Sequence, residues 1–154
     1  TLFRSSKILA LVMSVMLSPV ALADSFKLVD GNTVKTVSTA DLEKMPTASI
    51  TTGTNFTPKA TFTGVPFQDF LNKYNVRAKA LRFFALDEYS YTVPVDELLK
   101  YSAILAYRKN GKFMPVSDLG PYVVIFPRDE HPELPRADIN AKTVWMISEV
   151  KVIR

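Results

Sequence analysis

The chain has 154 residues, of which 47% are hydrophobic and 22% charged, the composition of one ordinary globular domain rather than a disordered tail. It has no cysteine and one histidine, His131, which excludes thiol nucleophiles, disulfides, thiolate metal ligands and imidazole clusters. The formal charge of +4 falls to +2 once Arg4 and Lys7 are set aside, and no basic patch with interleaved aromatics follows, so a nucleic-acid partner is not expected.

Those two cations open a segment with the layout of a secretory signal peptide. Ile8 to Leu17 is apolar apart from Ser14, Ser18-Pro19 breaks the run, and Ala21-Leu22-Ala23 supplies small residues for a signal peptidase. An apolar run of about 10 residues is too short to span roughly 30 Å of hydrocarbon. The reading is therefore a signal peptide over 1–23, a single domain over 24–154, and a periplasmic or secreted protein with no membrane span after cleavage.

Phe26 and Leu28 alternate with polar neighbours, Asp30-Gly31 turns, and Val34 and Val37 continue, which predicts an N-terminal hairpin. Thr39 suits the cap of a short helix over Ala40 to Met45, stopped by Pro46. Ala48 to Thr52 and Ala60 to Thr63 read as Thr-rich strands around a polar loop, because branched threonine packs well on a pleated surface. Gly64-Val65-Pro66 reads as a turn opening a helix whose Phe67, Phe70, Leu71 and Tyr74 form one apolar stripe. Ala80 to Leu86 and Tyr89 to Val93 read as two strands joined at Asp87-Glu88, and Pro94 and Asp96 start a short helix.

Ala103 to Pro127 organises the second half. It holds an apolar run, an Asn110-Gly111 turn, a short return strand, a Leu119-Gly120-Pro121 break and a second apolar run. Arg128 to Asn140 reads as a loop rich in charge and proline, with a lid as one role to test. Thr143 to Ile153 reads as a long strand with Trp145 and Ile147 on one face and Val144, Met146, Val150 and Val152 on the other. Strands with short inserted helices and no repeat predict an α+β domain on a mixed or antiparallel sheet.

No catalytic apparatus stands out among the residues. The carboxylate pairs Asp87/Glu88, Asp96/Glu97 and Asp129/Glu130 are adjacent, so neither member of a pair faces the other's site, and they read as turns or caps. His131 is the one candidate general base, set in a surface loop. Tyr89, Tyr91, Tyr107 and Tyr122 have the spacing of sheet residues, with pocket lining as the alternative to packing.

Five segments in order resemble the oxidoreductase molybdopterin-binding domain, the sulfite-oxidase-like fold. They are Phe62 to Leu71 (FTGVPFQDFL), Asp87 to Leu99 (DEYSYTVPVDELL), Ile104 to Pro115 (ILAYRKNGKFMP), Leu119 to Pro127 (LGPYVVIFP) and Val144 to Val152 (VWMISEVKV). The resemblance covers roughly Ala48 to Ile153 and implies that fold. It also implies a molybdenum–pyranopterin cofactor whose metal is held by a cysteine before the Gly-Val-Pro element. Here Thr51, Thr52 or Gly53 stands at that place, and a neutral hydroxyl is a poor substitute for a soft thiolate. The family's polar and basic contacts around the Gly-Pro turn and before the final tryptophan fall on Asp118, Leu119, Val123 and Val144, with Lys142 two positions earlier. The expectation is an inherited fold without the inherited redox activity. On that reading the cofactor is absent, molybdopterin being implied by resemblance only. The domain instead binds a small molecule, or a periplasmic or membrane sensor or redox protein, through a groove lined by Tyr89, Tyr107, Arg108 and Tyr122. The alternatives are a molybdopterin-dependent oxidoreductase and a structural envelope protein.

Overall fold

A computed structural model describes residues 24–154; the expected signal peptide, 1–23, lies outside the described residues. Two five-stranded sheets pack around the core, rather than the one sheet expected from sequence. The first sheet is mixed. β1 (Ser25–Asp30) and β2 (Thr33–Ser38) form the expected hairpin, and β1 runs parallel to the C-terminal strand β10 (Ile147–Ile153). β10 in turn pairs antiparallel with β5 (Ala80–Ala85), which pairs with β6 (Ser90–Pro94). The second sheet is antiparallel, ordered β3 (Ala48–Thr52), β4 (Ala60–Pro66), β7 (Ile104–Lys109) and β8 (Lys112–Phe113), with β9 (Val123–Ile125) also on β7. Four short helices fill the connections: α1 (Thr39–Glu43), α2 (Phe67–Lys73), α3 (Val95–Lys100) and α4 (Arg136–Lys142). The α+β architecture is as expected. Among the described residues no helix is long and apolar enough to cross a membrane.

Strand alternation explains how the second sheet is buried on both faces. Leu105 and Tyr107 of β7 join the main core with Phe26, Phe70, Phe83 and Tyr122, while Ile104 and Ala106 join a second cluster with Phe62, Met114, Val123 and Ile125. Trp145 packs against both clusters. The Asn110-Gly111 turn forms as predicted, both residues at positive φ (51° and 79°), which matches the twist of the flanking strands.

Four boundaries differ from the sequence expectation. Gly64-Val65-Pro66 is not a turn but the end of β4. A Cβ on Gly64 would lie 2.1 Å from the Leu105 carbonyl oxygen, so glycine is there for close strand approach at a register shift. Ser38, not Thr39, caps α1: its hydroxyl accepts from Asp41 N at 3.1 Å and its own N–H donates to Asp41 Oδ2 at 2.9 Å. The charged Arg128–Asn140 segment contains most of α4. The last strand starts at Ile147, because Met146 has φ 52°, and a bulge between Ile147 and Glu149 then brings Ile147 and Val150 both to the buried side.

Candidate functional site

Three chain segments meet at the β3 end of the second sheet. The first is the loop after β3. Thr54 Oγ1 accepts from the backbone N–H groups of Phe56 (3.1 Å) and Thr57 (3.0 Å), a local turn that ties the backbone without using a strand partner. It presents Phe56, 49% exposed, against Trp145 with ring centroids 5.4 Å apart. The second is the turn between β5 and β6, where Glu88 takes a positive φ of 72° and Asp87 Oδ1 accepts from Tyr89 N at 3.1 Å. The third is α4 and its exit, Asn140 to Trp145. Tyr89 Oη donates to the Ala141 carbonyl at 2.9 Å and joins the second segment to the third. The enclosed cleft holds about 340 Å³ and is lined by Phe56, Asp87, Tyr89, Asn140, Ala141, Thr143 and Trp145. Three aromatic faces with amide and hydroxyl groups between them suit a flat ligand with polar edges.

Behind the cleft, β3 is latched to the segment after β9. Thr52 is fully buried; its Oγ1 accepts from Asp129 N at 3.3 Å and donates to the Gly53 carbonyl at 3.2 Å. Gly53 N donates to Asp129 Oδ2 at 3.2 Å, so Asp129 closes both ends of the bend. Arg128 Nη1 donates to Asn140 Oδ1 at 2.9 Å and ties the latch to the cleft wall.

α4 is held from below by Lys142, whose ammonium donates to Asp138 Oδ2 at 2.6 Å and to Glu97 Oε2 of α3. Burial alone would lower the Lys142 pKa, but the hydrogen bonds from Asp138 and Glu97 and their charges carry it above the ordinary lysine value. The lysine that sequence placed on a strand two residues before Val144 thus closes a helix, and its charge is used within the fold.

The four residues expected to line one groove are not brought together. Tyr89 does line the cleft. Tyr122 is fully buried, edge-on to Phe26 at 5.2 Å, with its hydroxyl 2.7 Å from Thr39 Oγ1; burial pushes its pKa up to about 12. That placement corrects its assignment to a groove wall: a side chain with no exposed surface has none to offer a ligand. Tyr107 is 4% exposed in the inter-sheet core. Arg108 pairs with Glu43 at 3.1 Å and lies 4.6 Å from the Phe113 ring centroid, so these two neighbours clamp α1 and β8 onto β7. His131 stands apart from the aromatic cleft. Its Nδ1 is 2.8 Å from Glu133 Oε1, its ring is edge-on to Tyr101 at 5.0 Å, and it borders a second cavity of about 450 Å³ beside the edge strand β3. Sequence reading missed Phe56, Asn140 and Thr143. Only the exposed phenylalanine in a Thr/Asn/Gly loop was a usable signal.

The residues present do not fit the metal part of the cofactor that the resemblance implies. Of the three positions where its thiolate would fall, Gly53 has no side chain, Thr51 pairs its hydroxyl with Thr61 Oγ1 at 2.9 Å across the strand pair, and Thr52 is buried in the latch. Among the described residues no group of three or more His, Cys, Asp or Glu side chains is arranged to hold a metal ion.

Comparison with known proteins agrees with this architecture. No curated protein matches the sequence significantly. Among solved structures the chain is similar to the sulfane dehydrogenase SoxCD from Paracoccus pantotrophus, with a TM-score of 0.61 at 13% identity. The match covers 84% of this chain and 38% of that one, so the chain spans well under half the length of that relative, and the likeness is one of fold. The family model for the oxidoreductase molybdopterin binding domain matches residues 24–129. With five motif segments in order, two sheets of the matching architecture and a family model over more than half its length, the chain belongs to the oxidoreductase molybdopterin-binding domain family.

Proposed function

We propose that this is an exported, non-redox member of the family that uses the family's scaffold to bind a small planar ligand in the Phe56–Tyr89–Trp145 cleft. The observation that carries this reading is the latch at Thr52. Thr52, one of the three residues standing where the metal ligand would fall, is turned inward and hydrogen-bonded to Asp129 and Gly53, while the aromatic cleft stays open. A hydroxyl so engaged supplies no soft, anionic donor. The ligand's role would be sensory or accessory to a membrane or redox partner.

Trp145 is the only tryptophan in the chain and lines the cleft, so fluorescence excited selectively at tryptophan reports on this site. A metal-free pterin is the probe. Saturable quenching is expected, and Phe56→Ala should weaken it about tenfold, given that one aromatic contact is worth roughly 0.5–1.5 kcal/mol beyond its buried area. Absence of any saturable change, or an unchanged midpoint in Phe56→Ala, contradicts the cleft as the binding site. The enzyme alternative, a molybdopterin-dependent oxidoreductase, is separated from this reading by molybdenum content.

A further inference from the structure

Arg128 is a buried cation, 9% exposed, that forms no salt bridge among the described residues. The comparison with Lys142 is direct: that buried cation sits between two carboxylates, this one has only the neutral Asn140 amide. Asp129, the adjacent acid, gives its Oδ2 to Gly53 N. Taking a guanidinium out of water without a counter-charge is unfavourable, and a chain tolerates it where a ligand completes the site.

The unpartnered part of Arg128 also has a definite shape. Nη1 is engaged with Asn140, whereas Nε is buried without a hydrogen-bond partner and Nη2 makes no hydrogen bond to the described residues. Nε–H and Nη2–H form the side-on edge of a guanidinium, which matches two oxygens carried on one phosphorus, sulfur or carbon atom. Asn140, the partner of Nη1, lines the aromatic cleft, so the guanidinium is tied to the cleft wall through Nη1. Burial and then the positive charge of Arg136, at the start of α4, hold the Arg128 pKa below the usual arginine value, against the smaller opposing effect of the Asp129 carboxylate. Asp87, the carboxylate on the cleft, is exposed and accepts from Tyr89 N.

We infer that Arg128, through its Nε and Nη2, is an oxyanion site that takes a phosphate, sulfate or carboxylate group. This deepens the ligand-binding reading by assigning the cleft ligand an acidic group, and rests on that reading only for the link to the cleft.

The test is thermal unfolding of the described domain, residues 24–154, in sodium phosphate or sodium sulfate against sodium chloride at matched ionic strength, followed by Trp145 titration with pterin-6-carboxylate and with the uncharged pterin. Phosphate or sulfate should raise Tm saturably beyond chloride, as a ligand of the native state does. Arg128→Gln, which retains an amide toward Asn140, should abolish that excess. Should Arg128→Gln fail to fold, Arg128→Lys keeps the charge but loses the two-pronged edge, and its phosphate midpoint should be about tenfold weaker. A Tm rise no larger than in chloride, or one retained in the Arg128 variants, overturns the inference. Equal binding of the two pterins to the wild-type protein overturns the link to the cleft ligand while leaving the cleft reading standing. Phosphate binding without binding of either pterin overturns the cleft reading and leaves the oxyanion site standing.

Discussion

Tyr122 Oη and Thr39 Oγ1 are hydrogen-bonded at 2.7 Å, and that pair separates a structural tyrosine from a binding one. Tyr122→Phe keeps the edge-on contact with Phe26 and leaves Thr39 Oγ1 only its longer bond to the Asp24 carbonyl, 3.4 Å, for an expected loss of about 1 kcal/mol in urea unfolding. Ligand binding should be unchanged. The phenol also sets an alkaline limit. Its folded pKa, raised to about 12 by burial, lies above the ordinary tyrosine value of 10.0, so the folded state holds its proton longer than the unfolded one. Its contribution is therefore intact below pH 10 and lost as pH rises from 10 toward 12. The wild-type minus Tyr122→Phe difference in urea midpoint should shrink over that window, and a flat difference would contradict the assignment. The tyrosine spacing was legible in the sequence, but the face each ring took was not. A dipeptide such as Tyr122-Val123 has both members buried, because its sheet is covered on both sides, and alternation then carries no inside–outside signal.

At the scale of elements, the pairing of hydrophobic period with turn residues located β1, β2, β3, β5, β6, β7, α2 and α3 to within a residue or two. Where it failed, the cause was tertiary. Gly64-Val65-Pro66 has turn composition, yet Gly64 is required by the Leu105 backbone. Gly64→Ala should cost about 3 kcal/mol, the upper end for overpacking, since backbone rather than a flexible side chain occupies the space. α4 was hidden because Ile139 is its only buried apolar residue; the helix depends on the ion triad of Lys142, Asp138 and Glu97 more than on an apolar stripe. The two carboxylates are more than a third exposed, so solvent screening keeps the triad's value modest. Lys142→Met should lower stability by about 1–2 kcal/mol, and it should shift Trp145 emission to the red as the cleft wall loosens. An unchanged emission maximum would show that α4 is seated without the triad. The raised lysine pKa gives the sign of the pH effect: stabilisation by the triad is present below the unfolded lysine pKa and lost as pH rises through the folded one.

For the whole molecule, the fold carries most of what the sequence announced. The five motif segments form strands and helices of the two sheets, and the family model covers residues 24–129. The site was less legible because it is assembled from two loops, 53–59 and 86–89, and the end of α4 with its exit, 140–145, whose meeting is decided by sheet packing. Thr52 could be named as a missing thiolate, but not as half of a latch to Asp129, 77 residues away. The central claim is that this scaffold works without molybdenum. It is tested most directly by elemental analysis of the protein purified from cells that make and export molybdenum–pterin enzymes, with one such enzyme carried through the same preparation. The account predicts background molybdenum in this protein beside full loading of the control. One molybdenum per chain would contradict it.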